Sequence, residues 1–130
     1  MEKVKRVLAK DSFNEHCGIK LLEVAPGYAR SRMEIQDRHL NGLGIVHGGA
    51  IFTLADFTFG AASNSHGQIA VGINATISYA KAVSTGVLIA EAKEVSLNHK
   101  LGTYVVEIRN DKHDLIAIFQ GTVYRKKEKF

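Results

Sequence analysis

The segment that decides the fold is NGLGIVHGGAIFTLAD, from Asn41 to Asp56. Four glycines and a histidine lead into an apolar run, and an aspartate stands inside that run. From Ala50 to Ser63 nearly every position is hydrophobic or small, with Thr53, Asp56 and Thr58 as the exceptions. The pattern leaves no polar face for water, so it predicts one helix that is buried on all sides.

Outward from this helix, the sequence changes to a β-type pattern. Upstream, Pro26 and Gly27 fit the centre of a tight turn between two strands. Downstream from Ile69, four β-type stretches are separated by turn signals, and the short turns favour an antiparallel meander. The first seventeen residues predict a short amphipathic helix. We therefore expect an α+β fold in which a six-stranded antiparallel sheet wraps around one long central helix.

Length and composition limit the organisation of the chain. With 130 residues, of which 45% are hydrophobic, one domain over residues 1–130 is expected, with a helical segment at 1–17 and a solvated basic tail at 126–130. No window approaches the 18 apolar residues of a membrane span, and the opening MEKVKRVLAK is too charged for a secretory signal. Together with the single cysteine, Cys17, these features predict a cytoplasmic protein with no membrane partner.

The positive charge of the chain does not by itself select a partner. A net charge of +4 would suit an anionic ligand such as a nucleotide-bearing cofactor. The chain has no aromatic-rich RNA-binding signature and no zinc-finger spacing, so no nucleic-acid partner is expected. The six histidines show no metal-ligand spacing, so no metal site is expected. GLGIVHG follows no strand and has the wrong spacing for a dinucleotide fingerprint.

The predicted helix start can bind a developing negative charge. His47, Gly48 and Gly49 open the helix, where the first N–H groups have no internal partner and the dipole is positive. Glycine also removes the Cβ that would keep a ligand away. Such a terminus suits a carbonyl oxygen that becomes an oxyanion, where one donor contributes about 3 kcal/mol. The alternative is that Gly48 and Gly49 only allow tight packing of the helix end.

Asp56 favours the catalytic interpretation. An ionised carboxylate in an apolar helix is costly to desolvate, so the residue is a candidate nucleophile or general base. The alternative is a carboxylate satisfied by a nearby hydroxyl such as that of Thr53. Gly48 and Asp56 are eight residues apart, or about 12 Å along a helix, which is too far for both to reach one carbonyl carbon. If both act on one substrate, Asp56 must come from a second copy in a two-fold dimer.

The spaced pattern of Asn41, the HGG triplet at 47–49 and Asp56 resembles the hotdog-fold acyl-CoA thioesterases, specifically the phenylacetate-degradation (PaaI-like) subfamily. The resemblance covers residues 19–125. It implies hydrolysis of an acyl-CoA with an aryl or medium-chain acyl group, with CoA as part of the substrate and no cofactor. The Gly48 amide would polarise the thioester carbonyl, and Asn41 and His47 would position the carbonyl or the water. Asp56 of the partner subunit would act as base or nucleophile.

The resemblance also implies substrate-binding positions and an assembly. Members often carry a hydroxyl on the strand after the helix, where this chain has Gly72, with Asn74 close by. Gly49 would lie at the substrate, and Lys81, His99 and Lys100 would meet the CoA phosphates. Homodimers would pair again into a homotetramer, as a dimer of dimers. Two alternatives remain open, a non-catalytic acyl-CoA-binding protein and a hotdog-type enoyl thioester hydratase.

Overall fold

The computed structural model describes residues 1–130 and has the expected α+β architecture. One long helix is wrapped by six antiparallel strands, and two short helices precede them. The elements are α1 (Glu2–Leu8), α2 (Ser12–His16), β1 (Ile19–Ala25), β2 (Tyr28–Glu34), a 3-10 turn (Asp37–His39), α3 (Gly48–Asn64), β3 (Gln68–Tyr79), β4 (Val87–Leu97), β5 (Leu101–Arg109) and β6 (Leu115–Lys129). The predicted six-stranded sheet and central helix are confirmed, and the N-terminal helix is split into α1 and α2.

The order of the strands differs from a simple meander. It is β1-β2-β4-β5-β6-β3, so β4, β5 and β6 form a meander while β3 pairs with β6 rather than with β4. After β3 the chain crosses through residues 80–86 to the middle of the sheet. The meander prediction was wrong for β3 because turn signals show where a chain reverses, not which strand becomes its neighbour. As a result β3 is an edge strand.

The predicted hairpin at Pro26–Gly27 is confirmed. Gly27 has φ +72°, a left-handed conformation that glycine adopts readily, and β1 and β2 pair on either side of it. On β2 the alternate residues Ala29, Ser31 and Met33 are fully buried. This face packs against α3, and so the hairpin is held to the helix.

The basic C-terminal run is part of the sheet and not a solvated tail. β6 continues to Lys129, which pairs with Gln68 at the start of β3. The prediction of a tail at 126–130 was therefore wrong for all but the last residue. The twelve-residue β3 supplies a hydrogen-bonding partner along this stretch, although its lysine side chains remain exposed.

The helix α3 forms the centre of one core of 22 buried residues. Its residues Leu54, Ala55, Ala61 and Ala62 are completely buried. The opposite face is open, however, because Gly49 and Asp56 are exposed and Gly60 is half-buried. These positions lie at helical spacing on one side. The prediction of a helix buried on all sides was therefore wrong for a single chain, which leaves this face uncovered.

Candidate functional site

The loop before α3 is closed by its own polar groups. Leu40 and Val46 form an isolated antiparallel bridge, and the Asn41 N–H donates to the Ile45 carbonyl oxygen at 2.8 Å. The Asn41 Oδ1 accepts from the Leu43 N–H at 2.9 Å and from the Ile45 N–H at 3.4 Å. Its Nδ2 donates to no other group of the chain. The side-chain oxygen of Asn41 therefore shapes the loop, and its Nδ2 is free to donate to a ligand.

His47 and Gly49 are bonded to each other at the start of α3. The His47 Nδ1 accepts from the Gly49 N–H at 2.8 Å, which satisfies one donor of the first turn. A Cβ added to Gly49 would lie 3.0 Å from the same Nδ1, so this cap favours glycine. Because Nδ1 accepts, the proton of the neutral ring is assigned to Nε2. The Gly49 amide is thus occupied, while the His47 Nε2–H remains available.

Gly48 carries the free donor of this helix start. Its N–H has no acceptor within the chain, and its carbonyl oxygen accepts from the Tyr79 hydroxyl at 3.0 Å. A Cβ added to Gly48 would lie 3.1 Å from the Tyr79 ring, so a larger residue would displace this side chain. Gly48, Asn41, Tyr79 and Lys81 line a cavity of about 340 Å³, here called the cradle. The structure therefore brings Asn41, Gly48 and Lys81 together.

Asp56 lies in a different cavity, about two turns further along α3 than Gly48. This recess of about 220 Å³ is lined by Asp56 with Asp11, Phe13, Asn14, Phe52, Thr53 and Phe57. The Asp56 carboxylate has no hydrogen bond and no ion pair in the chain. The Thr53 hydroxyl donates to the Gly49 carbonyl oxygen at 2.7 Å, so the alternative in which Thr53 satisfies Asp56 is not realised.

The surroundings of Asp56 disfavour its charged form. Desolvation by the packed atoms around the recess raises the pKa of the Asp56 carboxyl, and the nearby negative charge of Asp11 raises it further. The side chain is nevertheless exposed on its outer side, so water reaches it in a single chain. Desolvation is therefore partial in a single chain. A carboxyl that is unpaired and has a raised pKa is suited to accept a proton near neutral pH.

The cradle and the recess share no lining residue. Gly48 and Asp56 are separated by eight residues of continuous helix, which corresponds to about 12 Å. A single chain therefore does not bring the free amide and the free carboxylate to one point.

The predicted positions on β3 lie away from both cavities. Gly72 and Asn74 are exposed and flank an irregularity in the pairing of β3 with β6. A Cβ added to Gly72 would lie 3.3 Å from the Phe59 ring, which explains a small residue there. Neither Gly72 nor Asn74 lines the cradle or the recess. They could contact a substrate only from the exposed surface of β3.

The predicted phosphate-binding residues lie in two separate parts of the fold. Lys81 forms an ion pair with Asp114 at 2.8 Å, and this bond from Lys81 lowers the pKa of the Asp114 carboxyl. His99 and Lys100 are exposed in the turn between β4 and β5. The Arg125 side chain donates to the carbonyl oxygen of Asn98 in this turn at 2.8 Å. Because Arg125 pairs near the start of β3 and Gly48 contacts Tyr79 at its end, the turn lies far from the cradle of the same chain.

Some residues of the two cavities escaped the sequence analysis. Tyr79 contacts Gly48 from the end of β3, and a single tyrosine in a strand carries no signal for such a contact. Asp11, Phe13 and Asn14 of the α2 region line the recess. Only the Asp11 capping position could have been found, because aspartate before a short helix is a common N-cap.

No helix of the structure is long and apolar enough to cross a membrane.

Comparisons with known proteins identify the family. Residues 43–117 match the thioesterase superfamily. An Archaeoglobus fulgidus protein provisionally named as an esterase is 46% identical over 100% of this chain and 86% of its own length. The acyl-coenzyme A thioesterase PaaI of Escherichia coli is 33% identical over 88% of this chain and 83% of its own length. The solved structure of the E. coli PaaI protein superimposes with a TM-score of 0.94 at 29% identity, covering 98% and 94% of the two chains. The chain belongs to the thioesterase superfamily, with the hotdog fold, and is a thioester hydrolase.

Proposed function

We propose that this protein hydrolyses acyl-CoA thioesters, of the aryl or medium-chain class, at a site that two subunits build together. The observation that carries the proposal is the separation of the free Gly48 amide from the unpaired Asp56 carboxylate. Each is suited to one half of the reaction, and a single chain holds them about 12 Å apart. A second copy whose α3 runs antiparallel to the first would place the Asp56 of the partner subunit beside this cradle.

The open surface of the chain supports such a dimer. β3 is a twelve-residue edge strand with its outer side unpaired. It exposes Val71, Ile73 and Tyr79 at 42%, 58% and 52%. A long exposed apolar edge is a template for pairing with another chain. Pairing two β3 strands about a two-fold axis would also cover the open face of α3 that holds Asp56 and Gly60.

In the proposed reaction the Gly48 N–H donates to the thioester carbonyl oxygen and stabilises the negative charge that develops there. The Asn41 Nδ2 lines the same cavity and is a second donor. Asp56 of the partner subunit either attacks the carbonyl carbon itself or removes a proton from the water that does so. If Asp56 attacks, the C–S bond breaks to give an acyl–Asp56 anhydride, which water hydrolyses to the free acid, regenerating the carboxylate. If Asp56 acts as base, the intermediate formed by attack of water loses the thiolate and gives the acid directly. The CoA thiolate takes up a proton from protonated Asp56 or from water. The His47 Nε2–H, on the residue before Gly48, would position the carbonyl or the water.

The CoA end would meet cations from both subunits. Lys100 forms no ion pair within its chain and lies far from its own cradle, so it would serve the cradle of the partner subunit, together with His99. Lys81 lines the cradle directly but is already paired with Asp114, and so it is the weaker phosphate ligand. The net charge of +4 favours an anionic substrate. The E. coli relative, named an acyl-coenzyme A thioesterase, supports the same substrate class.

A further pairing of dimers is part of the proposal. Val95, Leu101, Ile118 and Tyr124 remain exposed on β4, β5 and β6. They are not on the β3 edge, so a dimer formed through β3 would leave them open. An apolar surface of this kind favours a second interface, as in a dimer of dimers.

Mixing two inactive variants tests the shared site. Asp56→Asn keeps the cradle and loses the acid, whereas Gly48→Val keeps the acid and obstructs the cradle. If equal amounts are unfolded, mixed and refolded, half of the dimers are mixed and each holds one intact site. Activity should therefore recover to about a quarter of the wild-type value, measured as free thiol released from an acyl-CoA panel.

The outcome distinguishes the alternatives. If the co-refolded mixture forms dimers but shows almost no activity, the shared site is contradicted. Tight binding of acyl-CoA without thiol release by the wild type would favour the non-catalytic binding protein. Gly42→Ala is the matched control for Gly48→Val, because a Cβ at Gly42 meets no atom within 4 Å, and it should leave activity unchanged.

A further inference from the structure

Three phenylalanines surround the carboxylate of Asp56. Phe52 packs edge-on against Phe119 with ring centroids 5.6 Å apart, and Phe57 is buried in the core. Phe13 of α2 completes the recess from the other side and is 64% exposed. Two aromatic walls are thus held by the core, while the third stands open to solvent. A large aromatic left exposed beside a catalytic acid contributes little to the stability of the fold.

The short helix α2 holds Phe13 in place. Asp11 caps the helix by accepting from the Asn14 N–H at 2.9 Å. The Asn14 Nδ2 donates to the Ile19 carbonyl oxygen at 3.3 Å, and Asn14 is only 8% exposed. The Phe13 carbonyl oxygen accepts from the Cys17 N–H at 3.2 Å. The backbone of Phe13 is therefore held in place, and its side chain lines the recess that contains Asp56.

The recess adjoins a larger cavity that is lined by residues of α1, α2 and β1. This second cavity, of about 450 Å³, shares Asp11, Asn14 and Phe57 with the recess and adds an apolar lining from Leu8, Ile19 and Leu21. The Asn14 Oδ1 is the one buried side-chain oxygen or nitrogen with no hydrogen-bond partner. A wall shaped only for stability would pair this atom, because an unpaired buried acceptor is destabilising. Mostly apolar cavities with a few polar groups are typical of ligand sites.

The charges around these cavities decide which part of a thioester they can hold. The recess is lined by the carboxylates of Asp11 and Asp56 and by no cation, whereas in the larger cavity Asp11 and Glu15 are balanced by Lys5 and Lys20. The recess would therefore repel the phosphates of CoA. The acyl group is uncharged and is attached to the carbonyl that Asp56 would attack, so it is the part of the substrate that fits.

We propose that α2 forms an acyl-recognition wall beside Asp56, with Phe13 as the residue that selects an aromatic acyl group. The inference rests on the proposed function, because it takes Asp56 as the residue that acts on the carbonyl. Three rings around one site favour an aromatic guest, since ring pairs attract beyond the effect of their buried area. Phe13 is then a specificity-determining residue contributed by the N-terminal segment.

Phe13→Ala tests the proposal with three thioesters, benzoyl-CoA, cyclohexanecarbonyl-CoA and acetyl-CoA. We expect kcat/KM for benzoyl-CoA to fall by about tenfold to a hundredfold, as for other contacts removed from apolar pockets. The value for cyclohexanecarbonyl-CoA should fall less, and that for acetyl-CoA should stay within about twofold because its methyl group does not reach Phe13. Phe13→Tyr keeps the ring and should retain the preference for benzoyl-CoA.

Two further variants make the result decisive. Leu22→Ala removes another exposed apolar side chain, 43% exposed and outside both cavities, and should change none of the three values. An equal loss on all three substrates in Phe13→Ala, or no loss, would overturn the acyl-recognition role. Asp56→Asn should lose activity on all three, and if it does not, the proposed function fails independently of Phe13.

Discussion

The cradle and the recess lie on the same helix but are built in opposite ways. At the cradle, the Asn41 Oδ1, the His47 Nδ1 and the Gly49 N–H are bonded within the loop and the helix cap. The Gly48 N–H remains a main-chain donor, together with the free Asn41 Nδ2 and His47 Nε2–H. At the recess, Asp56 stands without a hydrogen bond among aromatic side chains. The first region is rigid and complete, whereas the second is electrostatically unsatisfied. Stabilising an oxyanion requires donors in fixed positions, whereas a general base requires an unpaired group that can accept a proton.

Removing the acid should have the largest effect. Asp56→Asn is expected to lower kcat by about 10² to 10⁴, the usual contribution of a positioned general base, as measured by thiol release. The same variant should not unfold. The pKa of Asp56 is raised in the fold, so its charged form costs stability above the unfolded-state pKa, and this cost disappears as pH falls through the folded-state value.

Thermal unfolding of Asp56→Asn should therefore give a Tm at pH 7 at or above that of the wild type, with the difference vanishing in acid. A marked drop in Tm at pH 7 would show that the carboxylate has a stabilising partner. The contrast between a satisfied cradle and an unsatisfied recess would then be wrong.

A smaller change should move the pH profile. The proposed mechanism needs deprotonated Asp56, so the rate should fall as pH drops through its raised pKa. Asp11→Asn removes the like charge that contributes to this shift and keeps a good N-cap for α2. The acidic limb of kcat against pH should move to lower pH. Asp111→Asn, in the turn between β5 and β6, is the control and should leave the acidic limb in place. If Asp11→Asn also leaves the limb in place, Asp11 does not contribute to the pKa shift of Asp56.

The smallest effect is expected at the cradle. Tyr79→Phe removes the hydroxyl that donates to the Gly48 carbonyl oxygen at 3.0 Å. Because Tyr79 is 52% exposed, the loss in unfolding free energy should lie near the lower end of about 0.5–1.5 kcal/mol, measured by urea denaturation. Activity should change only a few-fold, since the loop and the His47 cap still hold Gly48. A loss as large as that of Asp56→Asn would show that the cradle depends on one contact.

The sequence predicted the parts of the fold that depend on local chemistry. The Pro26–Gly27 hairpin and the glycine-rich start of α3 follow from turn residues and helix capping. The place of β3 beside β6 does not, because strand pairing is decided by packing of distant segments. The basic run at 125–129 was misjudged for the same reason, since its partner strand begins more than fifty residues earlier at Gln68.

The site divided in the same way. Gly48 and Asp56 were predicted because glycines open the apolar helix and an aspartate stands inside it, whereas Asn41 came only from the family resemblance. Phe13 and Tyr79 could not be predicted, because an aromatic residue in a short helix or a strand resembles ordinary packing. The open face of α3 was also hidden, since an apolar helix reads as buried whether its cover is its own sheet or a second molecule.

The unpaired edge of β3 makes assembly a matter of mass action. With the proposed shared site, two chains must associate before either has a complete reaction centre, so activity would scale with the fraction of chains in dimers. Serial dilution should then lower the activity per milligram, and the loss should reverse when the protein is concentrated again. An enzyme of this design is tuned by how much of it a cell makes as well as by its substrate.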